Sequence, residues 1–208
     1  MNRFVLVLIA CGVLFFGLLF FNKKDDAGAP SVQASTSNHT QGNGPVKLVE
    51  YGDFQCPFCG TFYPVLKQVK EKYGDKITFQ FRNFPIASSH PNAVAAHRAA
   101  EAADKQGKFF EMHDLLYESQ TNWSSSTNAA GIFEGYAKQL GLNVEQFKTD
   151  AASSVVNDII QADISAGKDL RVSGTPTFFL DDLKLESPRD NLEYFSEQID
   201  AALKAKNL

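Results

Sequence analysis

Cysteine, methionine and tryptophan are scarce in this sequence, at three, two and one among 208 residues. So few cysteines exclude a small scaffold held by many disulfides. There is no excess of positive charge. Twenty Lys and Arg against 24 Asp and Glu give a formal net charge of −4, which argues against nucleic acid as a partner. There is no internal repeat. Only one long apolar run occurs, residues 4–21, which excludes a polytopic membrane protein, and 44% hydrophobic residues exclude a fully disordered chain.

The apolar run carries no charge, and as a helix at about 1.5 Å per residue it would span roughly 27 Å, the thickness of a bilayer's hydrocarbon. It is longer than the apolar region of a cleaved signal peptide, so residues 1–21 read as an uncleaved N-terminal membrane anchor. Two alternatives stand beside it: cleavage after Ala27-Gly28-Ala29, and lipidation at Cys11. Residues 22–45 contain no aromatic, and over half are Ser, Thr, Asn, Gln or Gly, the composition of a flexible linker. Residues 46–208 then form one domain. Arg3 on one side of the run and Lys23 and Lys24 on the other leave orientation to be decided by function.

Within the domain, residues 46–51 read as a strand. Residues 57–73 read as a helix in which Phe58, Phe62, Val65, Leu66, Val69 and Tyr73 recur at helical spacing, Pro64 kinks the axis and Gly74 stops it. Residues 77–82 alternate as a second strand. Helical patterns with no strand fill residues 91 to about 170. Two short strands, 177–180 and 183–186, and a closing helix, 191–206, complete an α/β chain.

The domain's only cysteines form Cys56-Pro57-Phe58-Cys59, after a strand and opening a helix. A thiol at a helix N-terminus faces unsatisfied N–H groups and the positive end of the dipole, which favours its thiolate. The thiolate is the form that exchanges with disulfides. A purely stabilising disulfide over so short a loop would constrain the unfolded chain little. A zinc site would need further ligands, for which His90, His97 and His113 are the candidates, none at a familiar spacing. Redox chemistry is the reading that uses the spacing. Glu50 lies mid-strand among Val46, Leu48 and Val49, where a carboxylate is anomalous; buried, it would have a raised pKa and could exchange a proton with Cys59. An exposed strand-end Glu is the plainer alternative. Ser173-Gly174-Thr175-Pro176-Thr177 precedes an apolar strand.

Together, the Cys-x-x-Cys pair, Glu50, Pro64, the Gly-Thr-Pro segment and the helical stretch resemble the thioredoxin superfamily, and within it the DsbA-like extracytoplasmic thiol–disulfide oxidoreductases, over essentially all of residues 47–206. The resemblance implies a thioredoxin-like fold with an inserted all-helical domain at about 88–172. It implies Cys56 as exposed nucleophile, Cys59 as its buried partner, Glu50 as proton carrier, and a cis Thr175–Pro176 bond facing Cys56. Substrate would lie on Thr175, Pro176, Pro57 and Phe58, with Phe54 either adding to that apolar surface or packing in the core. Neither metal nor cofactor is implied. The implied partners are unfolded, reduced proteins as substrates and a quinone-linked membrane oxidoreductase that reoxidises the pair, with the domain outside the cytoplasm. A monomer is expected, and residues 22–45 are too polar and short to be the dimerisation domain that isomerases of the superfamily commonly carry, which favours an oxidase over an isomerase. Where the strongest oxidants of the branch carry Pro-His between the cysteines, this chain has Pro-Phe, so one contact to the thiolate is missing. A reductase or isomerase on the same fold is the runner-up, and a redox-inert binding module a further alternative.

Overall fold

The computed structural model describes residues 36–208. The expected anchor at 1–21, Cys11 and the linker as far as residue 35 lie outside the described residues.

Strand β2 (Val46–Gly52) is the central element, buried at every position except Lys47. Its neighbour β3 (Ile77–Asn83) runs parallel, pairing Val46 with Ile77 and Gly52 with Asn83. A parallel pair needs a crossover. Helix α1 (Pro57–Tyr73) supplies it, followed by a 3-10 turn over Gly74–Lys76. Pro57 sits in the first turn, where its missing N–H costs nothing, and Gly74 adopts φ 50 to end the helix. Pro64 lies inside α1 without interrupting it. On the other side of β2, β4 (Thr177–Leu180) pairs antiparallel and places Glu50 opposite Phe178. β5 (Leu183–Lys184) follows after a turn in which Asp181 takes φ 51, a conformation Asp tolerates.

Between β3 and β4 the chain forms α2 (Ala93–Asp104), α3 (Phe109–Glu118), α4 (Gln120–Trp123), α5 (Ala129–Gln139), α6 (Val144–Ala152) and α7 (Ser154–Asp169). This is the expected helical insertion. Asn143 and Ser153 cap α6 and α7 through their side-chain oxygens, which accept from Gln146 and Val156 N–H. Helix α8 (Leu192–Ala205) returns to pack beside α1, its start capped by Asn191. The main core joins α1, α8, the insertion and the face of the sheet that carries Leu48. Val49, Tyr51, Phe84, Val172 and Phe179 form a second core on the other face.

The linker expected over 22–45 is corrected at its C-terminal end. Residues His39–Gln41 form β1, antiparallel to β3 at the sheet edge, in the order β1-β3-β2-β4-β5. The segment is held by hydrogen bonds and ion pairs, which is why its composition concealed it. Ser37 N–H donates to Asp163 at 2.9 Å, and the Ser37 hydroxyl also bonds that carboxylate. Asp163 is fully buried and accepts from Arg82 at 3.0 Å and from the Asn83 backbone and side chain at 2.9 Å each. His39 bonds Glu101 at 2.7 Å and stacks on Phe109. Burial opposes charge on His39, but its bonds to Asp104 and Glu101 outweigh that and hold its pKa at about 9. A chain shortened to start at Pro45 would leave Asp163 and Glu101 short of buried partners. It is expected to lose about 3–5 kcal/mol, or roughly 6–20 °C in melting temperature, against one starting at Ala34. Equal melting curves would show that β1 contributes nothing.

Candidate active site

The site forms where β2 ends. Beyond Gly52 the chain turns through Asp53, Phe54 and Gln55 into Cys56, whose N–H donates to the Asp53 carbonyl at 3.0 Å. No Cβ could stand at position 52, because it would lie 2.4 Å from the Phe81 ring. Asp53 is fully buried and organises the turn. Its carboxylate accepts from Gln55 N–H at 2.8 Å and from Ile86 N–H at 2.8 Å, and it bonds His90 Nδ1 at 2.7 Å.

Cys56 is the residue before α1, and Cys59 lies one turn inside. The structure holds both as free thiols. Cys59 is fully buried and Cys56 is only 4% exposed, so the expected exposed nucleophile reaches solvent at its edge alone. Helix geometry sets the difference: Cys59 faces the core with Phe62, whereas Pro57 and Phe58 project outward, Phe58 being 69% exposed. Phe54 is the opposite case. It is fully buried, stacked on Phe81 with ring centroids 4.9 Å apart, and packs in the core instead of joining a substrate surface.

The Cys56 Sγ lies 3.3 Å from the Thr175 carbonyl, to which the thiol donates. The Thr175–Pro176 bond is cis, and both residues are partly exposed, with the Thr175 carbonyl on Cys56. When Cys56 ionises, it takes a hydrogen bond from the Cys59 thiol, then, against the cost of burial, others from the Thr175 side chain and the Cys59 and Phe58 N–H groups. Together these lower its pKa from 9.0 to about 5. The Thr175 hydroxyl has no other partner, which leaves it free to donate. Cys59 moves the other way. Burial raises its pKa well above 9.0, helped by its bond to Cys56 and by Glu50. The Asp53 N–H reaches its sulfur at 3.5 Å.

Glu50 is 1% exposed, and neither carboxylate oxygen has a hydrogen-bond partner, which excludes the exposed strand-end alternative. Burial raises its pKa from 4.5 to about 8, with Lys70 pulling down and Cys56 pushing up. Lys70 is on α1, its ammonium bonded to Gln41 at 2.8 Å and 5.0 Å above the Phe79 ring. The Tyr117 hydroxyl is also buried without a partner, and burial, followed by the charges of Cys59 and Glu50, raises its pKa well above 10.0. The histidines considered as zinc ligands each have their own polar partner, His90 on Asp53, His97 on Asn83 and His113 on Asp114, and His97 and His113 both pack on the Phe54 and Phe81 rings. Among the described residues no cluster of His, Cys, Asp and Glu could hold a metal ion.

Several residues bind this loop that the sequence did not single out. Gln120 donates from Nε2 to the Phe54 and Cys56 carbonyls at 2.7 and 2.9 Å. Gln55 donates to the Ser124 carbonyl, and Asn92 spans Gln55 and the 123–126 turn. These are ordinary polar residues in loops and helix ends, and no local pattern marks them.

A thioredoxin family model matches residues 35–201. A segment of a Na(+)/H(+) antiporter, NhaA 1, from Mycobacterium sp. strain KMS is 36% identical over 160 residues; that is 74% of this chain but 25% of the antiporter, so the chain spans about a quarter of such relatives. A probable disulfide bond formation protein D from Bacillus anthracis is 30% identical over 182 residues, covering 85% of this chain and 83% of that one. The crystal structure of oxidised BdbD from Bacillus subtilis superposes with a TM-score of 0.70 at 22% identity, covering 83% of this chain and 98% of that one. Among the described residues no helix is long and apolar enough to cross a membrane. With its Cys-x-x-Cys pair at the head of α1 and a helical insertion between β3 and β4, the chain belongs to the thioredoxin family and has the DsbA-like fold.

Proposed function

We propose that this chain is an extracytoplasmic protein disulfide oxidoreductase that introduces disulfide bonds into secreted or envelope proteins, tethered by residues 1–21. The observation that carries the reading is the asymmetry of the pair: Cys56 sits at the head of α1 with its sulfur 3.3 Å from the Thr175 carbonyl, while Cys59 is fully buried one turn inside, an arrangement that lowers the Cys56 thiol to about 5 and raises Cys59 well above 9.0. At pH 7 the Cys56 ionisation favours the reduced pair by about two decades over an unshifted thiol, or about 60 mV at 29.6 mV per decade, so the oxidised pair tends to take electrons. The name of the Bacillus anthracis relative supports the same direction.

In the oxidised protein a substrate thiolate attacks the Cys56 sulfur. The Cys56–Cys59 bond breaks, and Cys59 leaves with the electron pair and takes a proton from Glu50. A second substrate thiolate attacks the substrate sulfur of the mixed disulfide and expels Cys56 as a stable thiolate. The substrate loses two electrons and the pair gains them. Thr175, Pro176, Pro57 and Phe58 receive the extended substrate around Cys56, with Phe58 offering the apolar contact suited to unfolded chains. A quinone-linked membrane oxidoreductase returns the pair to the disulfide. Disulfides persist outside the cytoplasm, which sets the orientation.

Phe58 favours one second reading, a thiol reductase, because its side chain offers the thiolate neither charge nor hydrogen bond. Redox equilibration in glutathione buffers, read by alkylation and mass, decides between them. A potential well above the thioredoxin value of about −270 mV is expected. A value at or below it would overturn the oxidase reading and favour the reductase.

A further inference from the structure

We infer that Gln120 is a positioning residue for the Cys56 nucleophile, through which the helical insertion helps to set the acidity of the thiol. The inference rests on Cys56 being the nucleophile, as proposed above. Gln120 opens the short helix α4, and its single amide nitrogen spends both hydrogens on the redox loop, one on the Phe54 carbonyl at 2.7 Å and one on the Cys56 carbonyl at 2.9 Å. The Cys56 carbonyl also accepts the first helical bond, from Gly60 N–H at 3.1 Å. Both lone pairs on the oxygen of the nucleophile's own residue are therefore engaged, which withdraws negative charge from beside the thiolate.

The donor is itself fixed. Trp123, at the other end of α4, is fully buried and donates to the Leu116 carbonyl at 2.8 Å. Asn92 bonds the Trp123, Ser124 and Ser126 carbonyls, and Gln55 bonds Ser124 at 2.7 Å. From the other side α1 closes on the amide. A Cβ at Gly60 would lie 2.7 Å from Gln120 Oε1, so glycine leaves room for the clamp. The stabilised thiolate needs Cys56 held where its sulfur meets Cys59, Thr175 and the helix N–H groups at once, and the clamp fixes the backbone that carries that sulfur.

Gln120→Met keeps the length and removes the donors. The titratable groups around Cys56 are Cys59 on α1, Glu50 on β2, Asp53 with its partner His90, and Tyr117 on α3, and none of them is changed. In the full-length chain we expect the ultraviolet thiolate titration of Cys56 to shift upward by about half a unit, with about a threefold fall in its oxidising equilibrium with glutathione. Gly60→Ala pushes the amide away from the opposite side while favouring the helix, and is expected to shift the midpoint in the same direction with no loss of melting temperature. Gln106→Met is the control. It removes a comparable amide bridge, Gln106 to the Asn143 backbone, far from the loop, and should lower stability without moving the midpoint. A Gln120→Met midpoint equal to wild type, with only the stability loss of Gln106→Met, overturns the inference. So does an unmoved midpoint in Gly60→Ala, which decides the matter if Gln120→Met does not fold. These readouts need no substrate, so a low potential that sinks the oxidase reading leaves the differences between variants intact.

Discussion

Cys56→Ser is expected to abolish disulfide transfer to a reduced protein substrate, by on the order of 10³-fold or more. A serine hydroxyl is not ionised at neutral pH and cannot accept a second sulfur, so neither the disulfide nor the mixed disulfide can form. Cys59→Ser separates the roles of the two sulfurs. The Cys59 hydrogen bond is the largest contribution lowering the Cys56 pKa, and a serine hydroxyl keeps a donor there, so a reactive thiolate survives at Cys56. With no second sulfur to release it, that variant should accumulate mixed disulfides, visible as mass adducts that a reductant removes. The pH dependence follows from the same thiolate. Alkylation of Cys56 in the reduced protein should be flat above about pH 6 and fall tenfold per unit below about pH 5, as the thiolate takes up its proton. Residual turnover in Cys56→Ser, or a midpoint near 9, would show that another group carries the chemistry.

The parts of this site legible in the sequence are those announced by local chemistry. Pro57 at the start, apolar residues at helical spacing and Gly74 at the end define α1 with the bounds the structure gives. Glu50 was visible because a carboxylate is out of place in a strand that is otherwise apolar. What escaped is what only the assembled fold decides. Phe54 and Phe58 flank Cys56 and look alike in the sequence, yet one is fully buried on Phe81 and the other is 69% exposed, because one ends a loop over the sheet and the other projects from the first turn of α1. His39–Gln41 lacks the apolar alternation of a strand. Its order comes from Ser37 reaching Asp163, 126 residues away, and from His39 reaching Glu101. Gln120, Gln55 and Asn92 are equally plain in sequence, since their side chains bond backbone carbonyls and, at Gln55, a backbone N–H, which no pattern of side chains reports.

Glu50→Gln is expected to move stability and activity in opposite directions. The carboxylate is buried without a hydrogen bond, and its pKa rises from 4.5 to about 8, so the folded protein holds a proton that the unfolded chain releases. Stability is therefore fully present below pH 4.5, declines as pH rises, and stops declining above about pH 8. The cost is about 3 kcal/mol at pH 7 and about 5 kcal/mol above pH 8. Gln titrates nowhere in this range. The variant should match wild type near pH 4 and melt higher at pH 7, by roughly 6–12 °C. Activity should show the reverse. When Cys59 leaves the disulfide it needs a proton, because burial holds its pKa well above 9.0, and at pH 7 Glu50 is largely protonated and can give one. Removing it should slow the step by about 10²-fold. The wild-type decline in that step as pH rises through about 8 should vanish in the variant, measured with a thiol substrate that is fully ionised across the range. A variant that melts higher yet keeps wild-type turnover and its alkaline limb would leave Glu50 a buried liability with no part in proton transfer.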